Sequence, residues 1–165
     1  MADLTSAQVP PVGPEDHLRG EGPEVILYVD LACPHCAATW QGISELPLTI
    51  CFRHFPLSSQ HPRSPVLHAA AEAAGLQGGF WPFVDGLFAD RGKTDDPHLW
   101  EAAREMGFDL DRFQRDRRAP QVEERVQRDF RSGVRAGVSS TPGAFVSGVA
   151  VTPPLHRALS GLCGN

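Results

Sequence analysis

Nothing in this 165-residue sequence approaches the length of a membrane-spanning helix, so no membrane crossing and no membrane partner is expected. Nor is there an excess of basic charge. Lysine and arginine number 15 against 20 aspartates and glutamates, a net charge of −5, and no field for nucleic acid is expected. The arginine cluster at Arg112, Arg115, Arg117 and Arg118 is interleaved with Asp109, Asp111 and Asp116, the pattern of a solvated helix face. Cysteine is scarce. Apart from one close pair, Cys51 and Cys163 stand alone, and none of the seven histidines forms a His-x₃₋₅-His pair. The spacings therefore offer at most half of a closed zinc site. Met1 to Gly22 lacks the cationic start and apolar run of a signal peptide; it reads as a mobile leader, polar and rich in Pro and Gly, on a cytoplasmic chain. No internal repeat or low-complexity segment appears, and the length fits one domain with a real core.

What is present is Cys33-Pro34-His35-Cys36, after the apolar run Val25-Ile26-Leu27-Tyr28-Val29 and before the helix-compatible stretch Ala37 to Gln41. Two thiols three positions apart at a helix start make a candidate redox centre. The helix N-terminus offers unpaired N–H groups and partial positive charge, and both favour thiolate over thiol. A thiolate of low pKa is the nucleophile of thiol–disulfide exchange. Three readings stand side by side: a redox dithiol, half of a zinc site, and incidental buried cysteines. Pro34 falls where the first turn of a helix tolerates proline, which favours a built helix start. In a reducing cytosol such a pair is more often catalytic than a structural staple.

The rest of the chain reads as follows. Val25 to Val29 predicts a buried strand, the dithiol turn opens a helix to about Glu45, and Leu48 to Phe55 predicts a second strand. That is β-α-β with a parallel pair. Ser64 and Pro65 suit an N-cap and first helical residue. Val66, Ala69, Ala70, Ala73 and Ala74 then repeat at helical spacing up to Gly75. Phe80, Phe83, Val84, Leu87 and Phe88 form an aromatic stripe, read as core. Asp96-Pro97 opens a helix that Gly107 stops, and Asp109 to about Arg118 is a shorter one. Pro120 opens another, with Val122, Val126, Phe130 and Val134 on one face. Ala144 to Ser147 and Val149 to Val151 predict a hairpin about Ser147-Gly148, and Pro153 to Leu162 a closing helix.

This order resembles the α/β thioredoxin fold (β-α-β … β-β-α) with an all-helical insertion: residues 23–61 and 138–165 as its halves, 62–137 as the insertion. The chain resembles the bacterial DsbA family of thioredoxin-like thiol–disulfide oxidoreductases from about Pro23 to Leu162. The resemblance rests on four things: the Cys33–Cys36 motif after the first strand, Arg53-His54-Phe55-Pro56-Leu57 at the end of the second, the insertion, and Ser140-Thr141-Pro142 before the hairpin. It implies that Cys33 is the exposed attacking thiolate, Cys36 the buried resolving thiol, and His35 a stabiliser of the thiolate. It implies too that Thr141-Pro142 is a cis bond against the dithiol, with Pro34, Thr141 and Pro142 as the substrate-binding residues. Without the resemblance, Pro142 is equally a trans proline ending the long helix. One departure is Leu27, where many relatives carry a buried glutamate six residues before the first cysteine. Water or His54 would then have to take the proton of the second thiol. His54 otherwise reads as a packed residue, His61 and His68 as structural or solvent-facing, and Asp30 as a brace of the active-site turn. Cys51 reads as an inert buried thiol and Cys163 as an exposed one; a bond between them depends on geometry.

The leading expectation is a thiol–disulfide oxidoreductase acting on disulfide- or thiol-containing proteins, with glutathione as a candidate small-molecule partner and no cofactor. The alternative is a thioredoxin-fold binding module whose cysteines hold a metal or are merely retained. A third, an isomerase of the same inserted fold using glutathione, is disfavoured by Cys36, which such relatives usually lack. Substrate, direction and oligomeric state are left open by the sequence.

Overall fold

The computed structural model describes residues 7–164. At its centre lies β2 (Glu24–Val29), whose side chains alternate between two cores. Val25, Leu27 and Val29 enter the larger core, and Ile26 and Tyr28 the smaller. A strand covered on both faces must be apolar at every position, which is why this run lacks polar alternation. From β2 the chain passes through α1 (Pro34–Ile43) into β3 (Thr49–His54), which pairs parallel to β2. On the far side of β3 lies β1 (His17–Arg19), antiparallel to it. β4 (Gly143–Val146) pairs antiparallel with β2, and β5 (Val149–Ala150) closes the order β1-β3-β2-β4-β5. Ser147 and Gly148 join β4 to β5 with φ of 50° and 79°, the positive values that a tight hairpin turn needs.

Between β3 and β4 run α2 (Ser64–Gly75), α3 (Phe80–Ala89), α4 (Asp96–Glu105), α5 (Leu110–Asp116) and α6 (Pro120–Arg135), and α7 (Leu155–Ser160) follows β5. The larger core takes Leu67, Ala70, Ala71, Ala73 and Ala74 from α2. It also takes the whole aromatic stripe of α3: Phe80, Phe83, Val84, Leu87 and Phe88. α6 covers the other face of the sheet. There a Cβ on Gly133 would lie 2.7 Å from Phe55 Cδ2 and 2.8 Å from Tyr28 Cδ1, so the helix approaches the sheet only because that residue is glycine.

Three sequence expectations are corrected. Residues 7–22 are not a free leader: they supply β1, and Val9 is buried in the smaller core. Met1 to Ser6 lie outside the described residues. Arg53, buried in mid-sheet, holds residues 10–16. Its guanidinium donates to the carbonyls of Pro10 and Pro11 and to the Asp16 carboxylate, and so ties the segment down. Ser64 does not cap α2; the capping position is Arg63, and the Ser64 hydroxyl is spent on Asp30. Val134 does not share the inward face of α6 but is 53% exposed. At 3.6 residues per turn the inward line runs Val122, Val126, Asp129, Gly133, and Val134 has rotated off it.

Candidate active site

The dithiol sits where β2 gives way to α1. Cys33 is the N-cap of α1, in extended conformation (φ −82°, ψ 120°), and Pro34 occupies the first turn. The Cys33 sulfur accepts from the Cys36 backbone N–H at 3.5 Å. No acidic side chain lies in the first turn, so nothing there competes for the partial positive charge. Cys36 lies one turn in, on the buried face.

The turn is held from beneath by Asp30, which is fully buried. Its Oδ1 accepts from the Ala32 N–H at 2.9 Å and from the Ser64 hydroxyl at 2.5 Å, and its Oδ2 from the Leu57 N–H at 3.0 Å. Its carbonyl accepts from the Cys33 N–H at 3.1 Å. Burial alone would raise the pKa of such a carboxyl. The donors that reach it, the Ser64 hydroxyl and the Ala32 and Leu57 N–H groups, outweigh burial and hold it below the usual range. Opposite Cys33 stands the segment entering β4. The Thr141 carbonyl is 3.9 Å from the Cys33 sulfur, and the Thr141-Pro142 peptide bond is cis. With Cys33 as a thiol, the buried Thr141 hydroxyl has no hydrogen-bond partner among the described residues, which leaves it free to donate to the thiolate.

These surroundings split the two thiols. The Cys33 pKa is drawn down to about 5, chiefly because the Cys36 thiol donates to its sulfur; the Thr141 side chain and the backbone N–H groups of Cys36 and His35 add to this, against burial. Cys36 moves far the other way, because burial and the neighbouring Cys33 both disfavour its ionisation. One thiol is thus set up as a nucleophile and the other as a reserve proton donor.

Comparison with known proteins agrees with this geometry. A family model described as thioredoxin matches residues 19–160. The chain belongs to the thioredoxin family. Its fold is similar to that of a thioredoxin-like oxidoreductase from Silicibacter pomeroyi DSS-3, at 25% identity over 90% of this chain and 92% of that one, with a TM-score of 0.78. It is also similar to the thiol-disulfide exchange protein alpha-DsbA2 from Wolbachia pipientis, at 17% identity over 90% and 87% of the two chains, with a TM-score of 0.77. BdbD from Bacillus subtilis matches with a TM-score of 0.72 at 15% identity, over 91% and 90%. The structural neighbours are thus DsbA-like members of the thioredoxin superfamily. Curated relatives carry a different name. The Na(+)/H(+) antiporter NhaA of Herminiimonas arsenicoxydans is 40% identical over 157 residues, which is 89% of this chain and 25% of the antiporter. An antiporter NhaA 1 of Salinispora arenicola is 37% identical over 84% of this chain and 22% of its own length. The chain thus spans about a quarter of the curated relatives it matches.

Within this thioredoxin-family site, the structure brings Cys33, Cys36 and Thr141 together, with Pro34 exposed at the helix start and Pro142 entering β4. Three expectations change. Cys33 is not openly exposed: it is 9% accessible, against 1% for Cys36. His35 is exposed and acts on Cys33 through its backbone N–H. His54 is not a free base for Cys36. It is fully buried, its Nδ1 lies 2.6 Å from His68 Nδ1, and its Nε2 lies 2.6 Å from Glu72 Oε1. Both ring nitrogens are therefore already engaged. Cys51 and Cys163 are free thiols in different surroundings: Cys51 in the smaller core, with burial pushing its pKa up to about 12, and Cys163 against the larger core.

Sequence reasoning missed Glu72 and His17. Glu72 interrupts an alanine run on α2, and that was the available signal: a carboxylate amid small apolar residues points inward and needs donors. It takes them from His17 at 2.5 Å and His54 at 2.6 Å. Burial would raise its pKa, but these two bonds and the charges behind them hold it far below the carboxylate range. His68 is likewise buried, and burial lowers its pKa to about 4.

Proposed function

We propose that this chain is a DsbA-like thiol–disulfide oxidoreductase that works through Cys33 and Cys36. The observation that carries the reading is the placement of the two thiols: Cys33 at the N-cap of α1 against the cis Thr141-Pro142 bond, and Cys36 buried one turn in; the shifts of Cys33 down and Cys36 up agree with it. In one direction the Cys33 thiolate attacks a substrate disulfide. A Cys33–substrate S–S bond forms, the substrate's own S–S bond breaks, and the departing thiolate takes a proton. Cys36 then gives up its proton and attacks the Cys33 sulfur, which closes the Cys33–Cys36 disulfide and releases the reduced substrate. The reverse sequence oxidises a substrate dithiol. An extended substrate strand lies against the segment before β4, where Ser140 is exposed and Pro142 partly so.

A stabilised thiolate stabilises the reduced form, so the disulfide is oxidising. We expect a reduction potential above the about −270 mV of thioredoxin. In a cytoplasmic setting such a pair is held reduced by glutathione and serves as a reductant or isomerase of strongly oxidising disulfides. In an oxidising compartment the same pair serves as an oxidase. The test uses Cys36→Ser protein and a disulfide-bonded model peptide. Mixed disulfides should accumulate on Cys33, located by mass spectrometry after thiol trapping. Accumulation on Cys51 or Cys163 would reassign the site. Metal bound by the reduced wild-type dithiol, with no exchange, would favour the binding-module reading instead.

One further observation bears on the partner. The curated relatives are antiporters of which this chain matches about a quarter. Among the described residues no helix is long and apolar enough to cross a membrane. The matched region is therefore a thioredoxin-like module carried within those proteins, and that favours a membrane transporter as a partner. Mixed disulfides trapped from cells on Cys36→Ser protein test this: an antiporter among them supports it, and soluble proteins alone contradict it.

A further inference from the structure

We propose a transition-metal site, suited to zinc, at His17, Glu72 and His54, behind the dithiol and independent of it. His17 Nε2, His54 Nε2 and a Glu72 carboxylate oxygen lie within 4.8 Å of one another. They come from β1, β3 and α2, positions so far apart in sequence that no spacing motif reveals them. Two imidazoles and one carboxylate form a three-ligand zinc set that leaves a fourth position for water. Here that position faces out beside His17, whose side chain is 20% exposed while His54 is fully covered.

Each donor is oriented. The His17 ring stacks on Phe80, with centroids 3.5 Å apart and planes 5° from parallel. The His54 ring is held through Nδ1 by His68. That is the outer-shell contact that fixes a metal-binding histidine. Glu72 turns its carboxylate toward both rings. Both rings meet the same oxygen, Oε1, at 2.5 and 2.6 Å. Tetrahedral zinc with bonds of about 2.0–2.2 Å needs its donors roughly 3.3 Å apart, so each ring must withdraw by less than ~1 Å. His17, on a three-residue edge strand, and the Glu72 side-chain torsions can supply that movement.

The protons follow from the donors already in place. The Leu31 N–H can only donate, so His68 Nε2, 3.1 Å away, accepts from it. His68 therefore carries its proton on Nδ1 and gives it to His54 Nδ1, and His54 Nε2–H gives to Glu72. With zinc on His54 Nε2, that ring carries its proton on Nδ1 and donates to His68 Nδ1. His68 then carries its proton on Nε2, 3.6 Å from Asp30 Oδ1, and the Leu31 N–H loses its acceptor. No net proton is released, and the cluster passes from one negative to one positive charge. The ion is thus felt at the residue two before Cys33.

The experiment titrates ZnCl₂ into full-length protein in the Cys33–Cys36 disulfide form, where the dithiol cannot hold metal. Calorimetry is expected to give one site of low-micromolar affinity or tighter, and the Leu31 amide resonance is expected to move with the titration. Losing an outer-shell partner weakens metal sites by about 10–100-fold. His17→Ala and Glu72→Gln should therefore each weaken binding at least ~10-fold. His17→Ala changes a partly exposed position on a three-residue edge strand, so it keeps the test readable if Glu72→Gln fails to fold. Cobalt substitution should give ligand-field bands without thiolate charge transfer. Absence of a zinc site in the wild type, undiminished affinity in His17→Ala, or a thiolate charge-transfer band would each overturn the proposal.

Discussion

Thr141 offers Cys33 two different groups. Its carbonyl, 3.9 Å from the sulfur, suits the protonated thiol, which donates to it. Its hydroxyl, buried and unpartnered among the described residues, suits the thiolate, which accepts from it. Replacing Thr141 by Val removes only the second. A hydrogen bond to a charged group contributes about 1.5–3 kcal/mol, and ~1.4 kcal/mol is a tenfold change in ionisation, so the Cys33 pKa should rise from about 5 to about 6 or higher. Thiolate ultraviolet absorbance measures this; an unmoved midpoint would remove the hydroxyl from the account. The positions of Cys33 and Cys36 were legible because an apolar strand followed by a Pro-containing helix start places one thiol at the N-cap and the other a turn inside. The roles of His35, His54 and Glu72 were not. They depend on which atoms meet across β1, β3 and α2, and residues at 17, 54 and 72 share no local period.

At the scale of elements, two contacts fix what covers the second face of the sheet. Gly133 lets α6 approach within 2.7 Å of Phe55 as measured from a notional Cβ, with an aromatic ring of β2, Tyr28, equally close. Gly133→Ala overpacks that contact and should cost about 1–3 kcal/mol in denaturant unfolding, despite the better helix propensity of alanine. A neutral or stabilising result would mean that α6 can shift freely. Arg53 holds the segment before β1 through Asp16, whose side chain is 6% exposed, and through two carbonyls. Arg53→Met leaves Asp16 with only the Gly13 N–H and Arg125, 4.0 Å away, and strips the two carbonyls of their donor; it should cost about 1–3 kcal/mol. Hydrogen exchange should show protection lost at residues 7–19; protection unchanged there would contradict the tether. β2, β3 and α3 were legible because burial on both faces, or on one helical stripe, writes itself into the apolar pattern. β1 was not, because His17, Leu18 and Arg19 owe their place to a partner strand and a buried guanidinium rather than to their own hydrophobicity.

At the scale of the whole molecule, redox state and pH are linked. The folded Cys33 pKa, about 5, lies below its ordinary value of 9.0. The thiolate's stabilisation is therefore fully present above pH 9.0 and is lost as pH falls through about 5. Most other groups contribute alike to both redox forms. The stability of the reduced protein relative to the oxidised one should thus increase from pH 5 to pH 9, followed by urea unfolding at each pH; a flat difference would contradict it. His68 acts on both forms. Its folded pKa of about 4 lies below the ordinary 6.5, so both forms should lose stability as pH falls between those values. The most direct measurement of the central claim is the alkylation rate of Cys33 in reduced wild-type protein as a function of pH, with the site read by mass spectrometry. The account predicts a single midpoint near 5 at Cys33, with Cys36 unreactive throughout; a midpoint near the unperturbed 9.0, or equal reaction at both cysteines, would contradict it.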